Sequence, residues 1–257
     1  MEAVFECPLR VQAHDADSIG RLKVNSMFNY IQDMASAHAE SLGVGLGDVL
    51  RRGMFWVLSW ARLEFTSLPR FGEELRGRTW PKREQKLFSI RDFLFLDRCG
   101  EVFCRATTAW MLVDIQRKKA VSARCIRDSI PYQGHESALD CLPEKFCPRE
   151  DAEDVYTRRI RYSDLDVNRH VNNARYVEYL TDCFGLEHHR RHMVKSITVS
   201  FVSEAKFGDE IRFRMCNGME KGFTCFVEGC DNEAGTPVVQ ASIEWAPLEP
   251  PRPLCGK

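Results

Sequence analysis

At 257 residues, with 44% hydrophobic and 28% charged side chains, the chain suits one large domain or two of roughly 130 residues, each with a proper core. A net charge of −1 gives no global attraction to nucleic acid or an anionic membrane, so any electrostatic partner must be met by a local patch. No apolar run approaches the about 18 residues of a spanning helix, and no signal or transit peptide is legible at the start, so a cytoplasmic protein without membrane insertion is expected.

In chain order, a strand leads through a loop to a long helix carrying Phe28, Ile31 and Ala35 at helical spacing, with Asn25 or Ser26 near its start. Several strands are predicted to follow. Residues 121–150, punctuated by Pro131, Gly134, Pro143 and Pro148, read as a linker. The pattern then restarts. A loop at Asp166 feeds a helix capped by Asn172 or Asn173 and carrying Val177, Leu180 and Phe184. Strands are predicted at Ser196–Phe201, Glu210–Cys216, Thr224–Cys230 and Val238–Trp245.

The restart is a true repeat. Glu64–Arg78 over Ser200–Arg214 gives seven identities in fifteen positions, among them Phe71/Phe207, Gly72/Gly208 and Glu74/Glu210. Arg10–Asp17 matches Arg159–Asp166, and Arg105–Trp110 matches Gln240–Trp245, in the same order. The chain therefore reads as α+β, two fused copies of one domain, each an antiparallel sheet wrapping a central helix. The boundaries are 1–130, a linker at 131–152, and 153–257.

Eleven cysteines at irregular spacing, with no matching His pair, read as reduced thiols rather than a zinc or disulfide framework. His188, His189 and His192, interleaved with Arg190 and Arg191, read as a solvated turn. No metal site is expected.

The segment Arg161–Tyr176 (RYSDLDVNRHVNNARY) resembles the active-site segment of hotdog thioesterases, in which H-V-N-N-x-x-Y opens the central helix. The Asp166-x-Asn168-x-His170 form, in the second of two fused copies, resembles the acyl-(acyl carrier protein) thioesterases; the likeness covers about residues 8 to 246. It implies a tandem double hotdog that hydrolyses carrier-bound acyl thioesters, releasing free fatty acid and ending chain elongation, with no cofactor.

Such chemistry needs an activated water or a carboxylate, a donor for the developing oxyanion, and an apolar slot. Asp166, Asn168 and His170 alternate, so an extended segment would project all three one way, into the N-terminus of a helix whose free N–H groups suit an oxyanion. The repeat is an internal control. Asn168 falls opposite Ile19, His170 opposite Arg21 and Glu204 opposite Leu68; Asp166 alone keeps its match, Asp17. The resemblance makes Glu204 the candidate base, with Asp166 as nucleophile the alternative. Many relatives follow that acid with cysteine, and Ala205 here argues against a thiol nucleophile. Met27, Phe28, Ile31 and Met34 are candidate walls of an acyl tunnel in the first copy, and Asn172 and Asn173 are candidate substrate-binding residues. The expected partner is an acidic acyl carrier protein, docked by Arg117, Lys118 and Lys119, with Arg124 and Arg127 near, or by the cluster Arg78, Lys82, Arg83 and Lys86. No nucleic acid is expected, and a homodimer is compatible with the sequence. Two rivals stay open: an acyl-CoA thioesterase and a non-hydrolytic acyl-binding module.

Overall fold

The computed structural model describes residues 3–248 apart from 133–136, 144, 147–148, 150 and 218–223. Gly134 and Pro148 of the predicted linker, and the side chains of Arg124 and Arg127, lie outside the described residues. The first copy runs β1 (Phe5–Arg10), α1 (Val24–Ser41), α2 (Leu46–Arg51), β2 (Met54–Phe65), β3 (Glu74–Gln85), β4 (Phe88–Leu96), β5 (Val102–Asp114) and a short β6 (Lys119–Val121). The second repeats it as β7 (Glu153–Arg159), α3 (Asn173–Asp182), α4 (Leu186–Arg191), β8 (His192–Phe201), β9 (Glu210–Asn217), β10 (Thr224–Asp231) and β11 (Pro237–Pro247). The four strands predicted in that copy fall inside β8 to β11.

Two separate sheets, one per copy, are not what forms. All the strands join one antiparallel sheet in the order β1-β3-β4-β5-β2-β8-β11-β10-β9-β7, with β6 beside β5. The second half of the order mirrors the first, so the copies meet across a pseudo-two-fold axis. β2 and β8 pair there, Trp60 opposite Ser200 and Glu64 opposite Ser196, with Arg62 facing its own counterpart Thr198 at the centre. Without that pairing, both strands would be open sheet edges, with unpaired N–H and C=O groups.

Both helices lie on the same face and share one core. Met27, Phe28 and Ile31 of α1 and Val177 and Leu180 of α3 are fully buried in a single cluster with residues of both copies. Asn172 caps α3, its Oδ1 accepting the Ala174 N–H at 2.8 Å. Asn25 and Ser26 instead lie inside α1, behind an N-cap at Lys23 that makes no side-chain bond. The helices also differ in length. α1 has 18 residues, whereas α3 has 10 and stops short of Phe184, ahead of the α4 turn at Gly185.

The linker is strapped to the sheet. Asp92, fully buried on β4, accepts from Thr107 Oγ1 (2.6 Å) and the Ala138 N–H (2.7 Å) and lies 3.3 Å from Lys82 Nζ. Lys82 also donates to Ser137 Oγ and, at 2.8 Å, to the Leu139 carbonyl. This removes Lys82 from the candidate docking cluster: its ammonium is committed to a buried carboxylate and two linker acceptors.

Candidate active site

Residues 165–171 form a tight turn rather than the extended segment expected. Asp166 Oδ1 accepts the Asn168 N–H (2.8 Å) and the His170 N–H (3.3 Å), the Asp166 N–H donates to the His170 carbonyl (2.9 Å), and Leu165 bridges Val171. A short carboxylate that bonds its own backbone two and four residues on favours such a turn over a strand. The first copy repeats it: Asp17 Oδ1 accepts from Ile19 (3.0 Å) and Arg21 (2.8 Å), and Ala16 bridges Leu22. The retained Asp166/Asp17 match is thus accounted for by turn architecture. One difference stands beside His170. The left-handed position taken by Gly20 (φ 79°) in the first copy is held by Arg169 (φ 65°) in the second, a conformation that costs a non-glycine residue about 1–2 kcal/mol.

The turn sets His170 against Glu204. His170 Nε2 lies 3.1 Å from Glu204 Oε2, with the histidine side chain 26% and the glutamate 49% exposed. Asn168 Nδ2 is 3.5 Å from Asp166 Oδ2. Asp166, Asn168, His170 and Glu204 all border one cavity of about 720 Å³. Asn173 borders it too, and its N–H, at the first position of α3, has no partner among the described residues. Asn172 does not reach the cavity, because its side chain is spent on the cap and on Gln32.

Most of the apolar wall of this cavity belongs to the first copy, with Val171, Phe201 and Val202 added from the second. Leu42, Val44, Phe55, Trp56, Val113 and Ile130 line it, and it reaches the buried Arg91. Arg91 donates to Thr79 Oγ1 (3.2 Å) and meets His38 Nδ1 at 2.9 Å, while burial pulls its pKa down to about 10. Met27, Phe28, Ile31 and Met34 are not wall residues: their face of α1 is turned into the core, where none is more than 2% exposed. The face that lines the cavity carries Gln32, Ala35, Ser36 and Ala39. That stripe is legible as small side chains at helical spacing beside the larger core stripe.

The corresponding space in the second copy is filled. Ala35 and Trp110 border the cavity, whereas their counterparts Phe184 and Trp245 are buried against each other, ring centroids 4.7 Å apart, with His188 4.5 Å from Trp245. Arg21 closes this side. Its Nε donates to Asp17 Oδ2 (2.9 Å), and its Nη groups donate to the carbonyls of His189 (2.7 Å) and His192 (3.2 Å). The triple-His segment is therefore packed, not a solvated turn. Each site combines one copy's wall with the other copy's turn, and only one is open.

Among the described residues no three His, Cys, Asp or Glu side chains cluster as metal ligands, and no helix is long and apolar enough to cross a membrane. Arg117 and Lys118 lie exposed in the β5–β6 turn, the exposed Lys119 opens β6, and Lys118 borders the cavity.

Comparison with known proteins agrees with this geometry. Residues 2–126 match the acyl-ACP thioesterase N-terminal domain and residues 148–247 the C-terminal domain. A chloroplastic acyl-[acyl-carrier-protein] hydrolase of Cuphea viscosissima is 23% identical over 95% of this chain and 63% of its own length. A chloroplastic palmitoyl-acyl carrier protein thioesterase of Arabidopsis thaliana is 25% identical over 78% of this chain and 52% of its own. The chain thus spans between half and two thirds of these relatives. The crystal structure of an acyl-ACP thioesterase from Bacteroides thetaiotaomicron superposes with a TM-score of 0.86 at 25% identity, covering 95% of this chain and 98% of that one. A 12:0-ACP thioesterase from Umbellularia californica, at 20% identity, shares the fold with a TM-score of 0.84 over 96% and 99%. Two fused hotdog copies, the matching family models and the shared fold make this chain a member of the acyl-ACP thioesterase family.

Proposed function

We propose that the chain hydrolyses acyl thioesters carried on acyl carrier protein, releasing a free fatty acid. The observation that carries this reading is the His170–Glu204 pair bordering a cavity that the first copy lines largely with apolar side chains. The acyl chain enters the first copy's wall, leaving the thioester carbonyl beside the second copy's turn. Glu204 takes a proton from a water as its oxygen attacks the carbonyl carbon. The free N–H at the start of α3 and the helix end stabilise the oxyanion. As the tetrahedral intermediate collapses, the C–S bond breaks and the departing sulfur receives the proton through His170, which Glu204 orients. Asn168 positions the water or the carbonyl. Asp166, with both oxygens engaged in the turn, shapes the loop rather than attacking.

Docking falls to Arg117, Lys118 and Lys119, a basic exposed turn at the cavity edge that suits an acidic carrier. The test is hydrolysis of acyl-carrier and acyl-CoA thioesters of matched chain length by the purified protein. Release of free acid with a higher kcat/KM on the carrier-bound form supports the reading. A clear preference for CoA would replace the carrier, and binding without hydrolysis would replace the chemistry.

A further inference from the structure

We propose that Tyr176 is a positioning residue, its buried hydroxyl holding the Ala205 N–H and so fixing the main chain that presents Glu204 to His170. The inference rests on the hydrolytic reading of the site and adds a residue to it. Glu204 lies beyond the end of β8, and among the described residues the one side-chain partner of its carboxylate is His170. Where that carboxylate points is therefore set by the backbone on either side.

Before it, the Val202 and Ser203 N–H groups both donate to the Val238 carbonyl, at 2.8 and 3.2 Å. After it, residue 205 is gripped twice. Its carbonyl accepts the Val171 N–H at 3.1 Å, tying it to the residue next to His170, and its N–H donates to Tyr176 Oη at 3.1 Å. Tyr176 is 3% exposed and also borders the cavity. Burial, with the Glu204, Asp209 and Asp166 carboxylates adding to it, holds the Tyr176 pKa well above the ordinary phenol value. The group stays a neutral acceptor with its own hydrogen.

The first copy shows which of these bonds the fold itself needs. There Leu22 donates to the Pro69 carbonyl at 2.8 Å, repeating the bond from Val171 to Ala205. The second grip has no counterpart. Pro69 has no N–H to give, and Met27, a fully buried side chain without a hydroxyl, stands where Tyr176 stands. Donor and acceptor are missing together, in the copy that also lacks His170 and Glu204. A bond serving only the architecture would be kept in both copies, as the turn bonds and the 171–205 bond are. This one follows the chemistry.

Two single variants and their double test it. Tyr176→Phe keeps the ring and its packing and removes the acceptor. Ala205→Pro removes the donor and copies what the first copy does. Each should lower kcat on the acyl-carrier thioester by roughly ten- to a hundredfold, the range in which slight misplacement of reacting groups acts, with KM within about twofold. The double variant should be no slower than the worse single, since both break one interaction. Exchange of the Ala205 amide hydrogen, followed by NMR in wild type and Tyr176→Phe, reads the same bond without substrate and should accelerate in the variant. Full kcat in Tyr176→Phe overturns the proposal, and so do additive losses in the double. If the wild type turns over no thioester, the hydrolytic reading fails by itself, and unchanged amide protection in Tyr176→Phe would still overturn the clamp.

Discussion

Ala39 offers a direct test of whether the cavity holds the acyl chain. It lines the wall on α1 and packs beside the cluster of Leu42, Val44, Leu112 and Ile130. Ala39→Leu adds three carbons to that wall, displacing a comparable stretch of bound hydrocarbon. A buried methylene contributes about 0.8 kcal/mol, so three displaced carbons cost about 2.4 kcal/mol. That is roughly a sixtyfold loss in kcat/KM, confined to chains long enough to reach the site. Shorter chains should be hydrolysed as before, and the preferred length should fall. The assay is kcat/KM across a series of saturated acyl-carrier thioesters. A loss uniform over all chain lengths, or none at any length, would refute the assignment of this cavity to the acyl group.

Glu204→Gln keeps the shape of the base but removes its proton acceptance, and should lower turnover by roughly 10²–10⁴-fold with the fold intact; Asp166→Asn should cost less, and the reverse order would make Asp166 the reacting carboxylate. Neutralising Arg117, Lys118 and Lys119 together should raise KM for carrier-bound substrate and flatten its salt dependence, while a small thioester analogue is turned over as before; an unchanged KM would acquit the turn. His188 gives a pH prediction. Burial, then the neighbouring His192 and His189, lower its pKa in the folded state, so as pH falls below about 6.5 the unfolded chain takes up that proton first and stability declines towards the folded-state value. His188→Phe should shrink the drop in Tm between about pH 7.5 and 5.5, and identical slopes would remove His188 from the account.

Much of this was legible because the repeat doubled every signal. The strands of β8 to β11 follow from local pattern, and side-chain chemistry narrowed the α3 cap to Asn172 or Asn173, of which Asn172 holds it. His170 drew notice because its counterpart in the repeat is Arg21, whereas Glu204, opposite Leu68, became a candidate through the family resemblance. What was hidden depends on which way a surface faces. The apolar residues of α1 announce burial, but a core and a cavity wall draw on the same kinds of side chain; Met27 and Ile31 belong to the first, and the modest Ala35 and Ala39 to the second. Lys82 read as surface charge because its partner Asp92 is on a neighbouring strand. Alternation of Asp166, Asn168 and His170 suggested a strand, and local bonds from the Asp166 carboxylate decided for a turn.

The Arg21 plug has a meaning for how such a protein can change. In a symmetric dimer made from one gene, every substitution appears at both sites, so a residue that closes one closes the other. Covalent fusion removes that constraint. Here Arg21 is anchored on carbonyls of the second copy, while the position facing it across the axis is free to be His170. The space matching the cavity became packed interior, and the cavity that stayed open is lined mostly by one copy and bordered by the His170 turn of the other, so the two sides mutate independently. On the proposed hydrolytic reading, substrate length and chemical step can then be adjusted separately, largely in different halves of one chain.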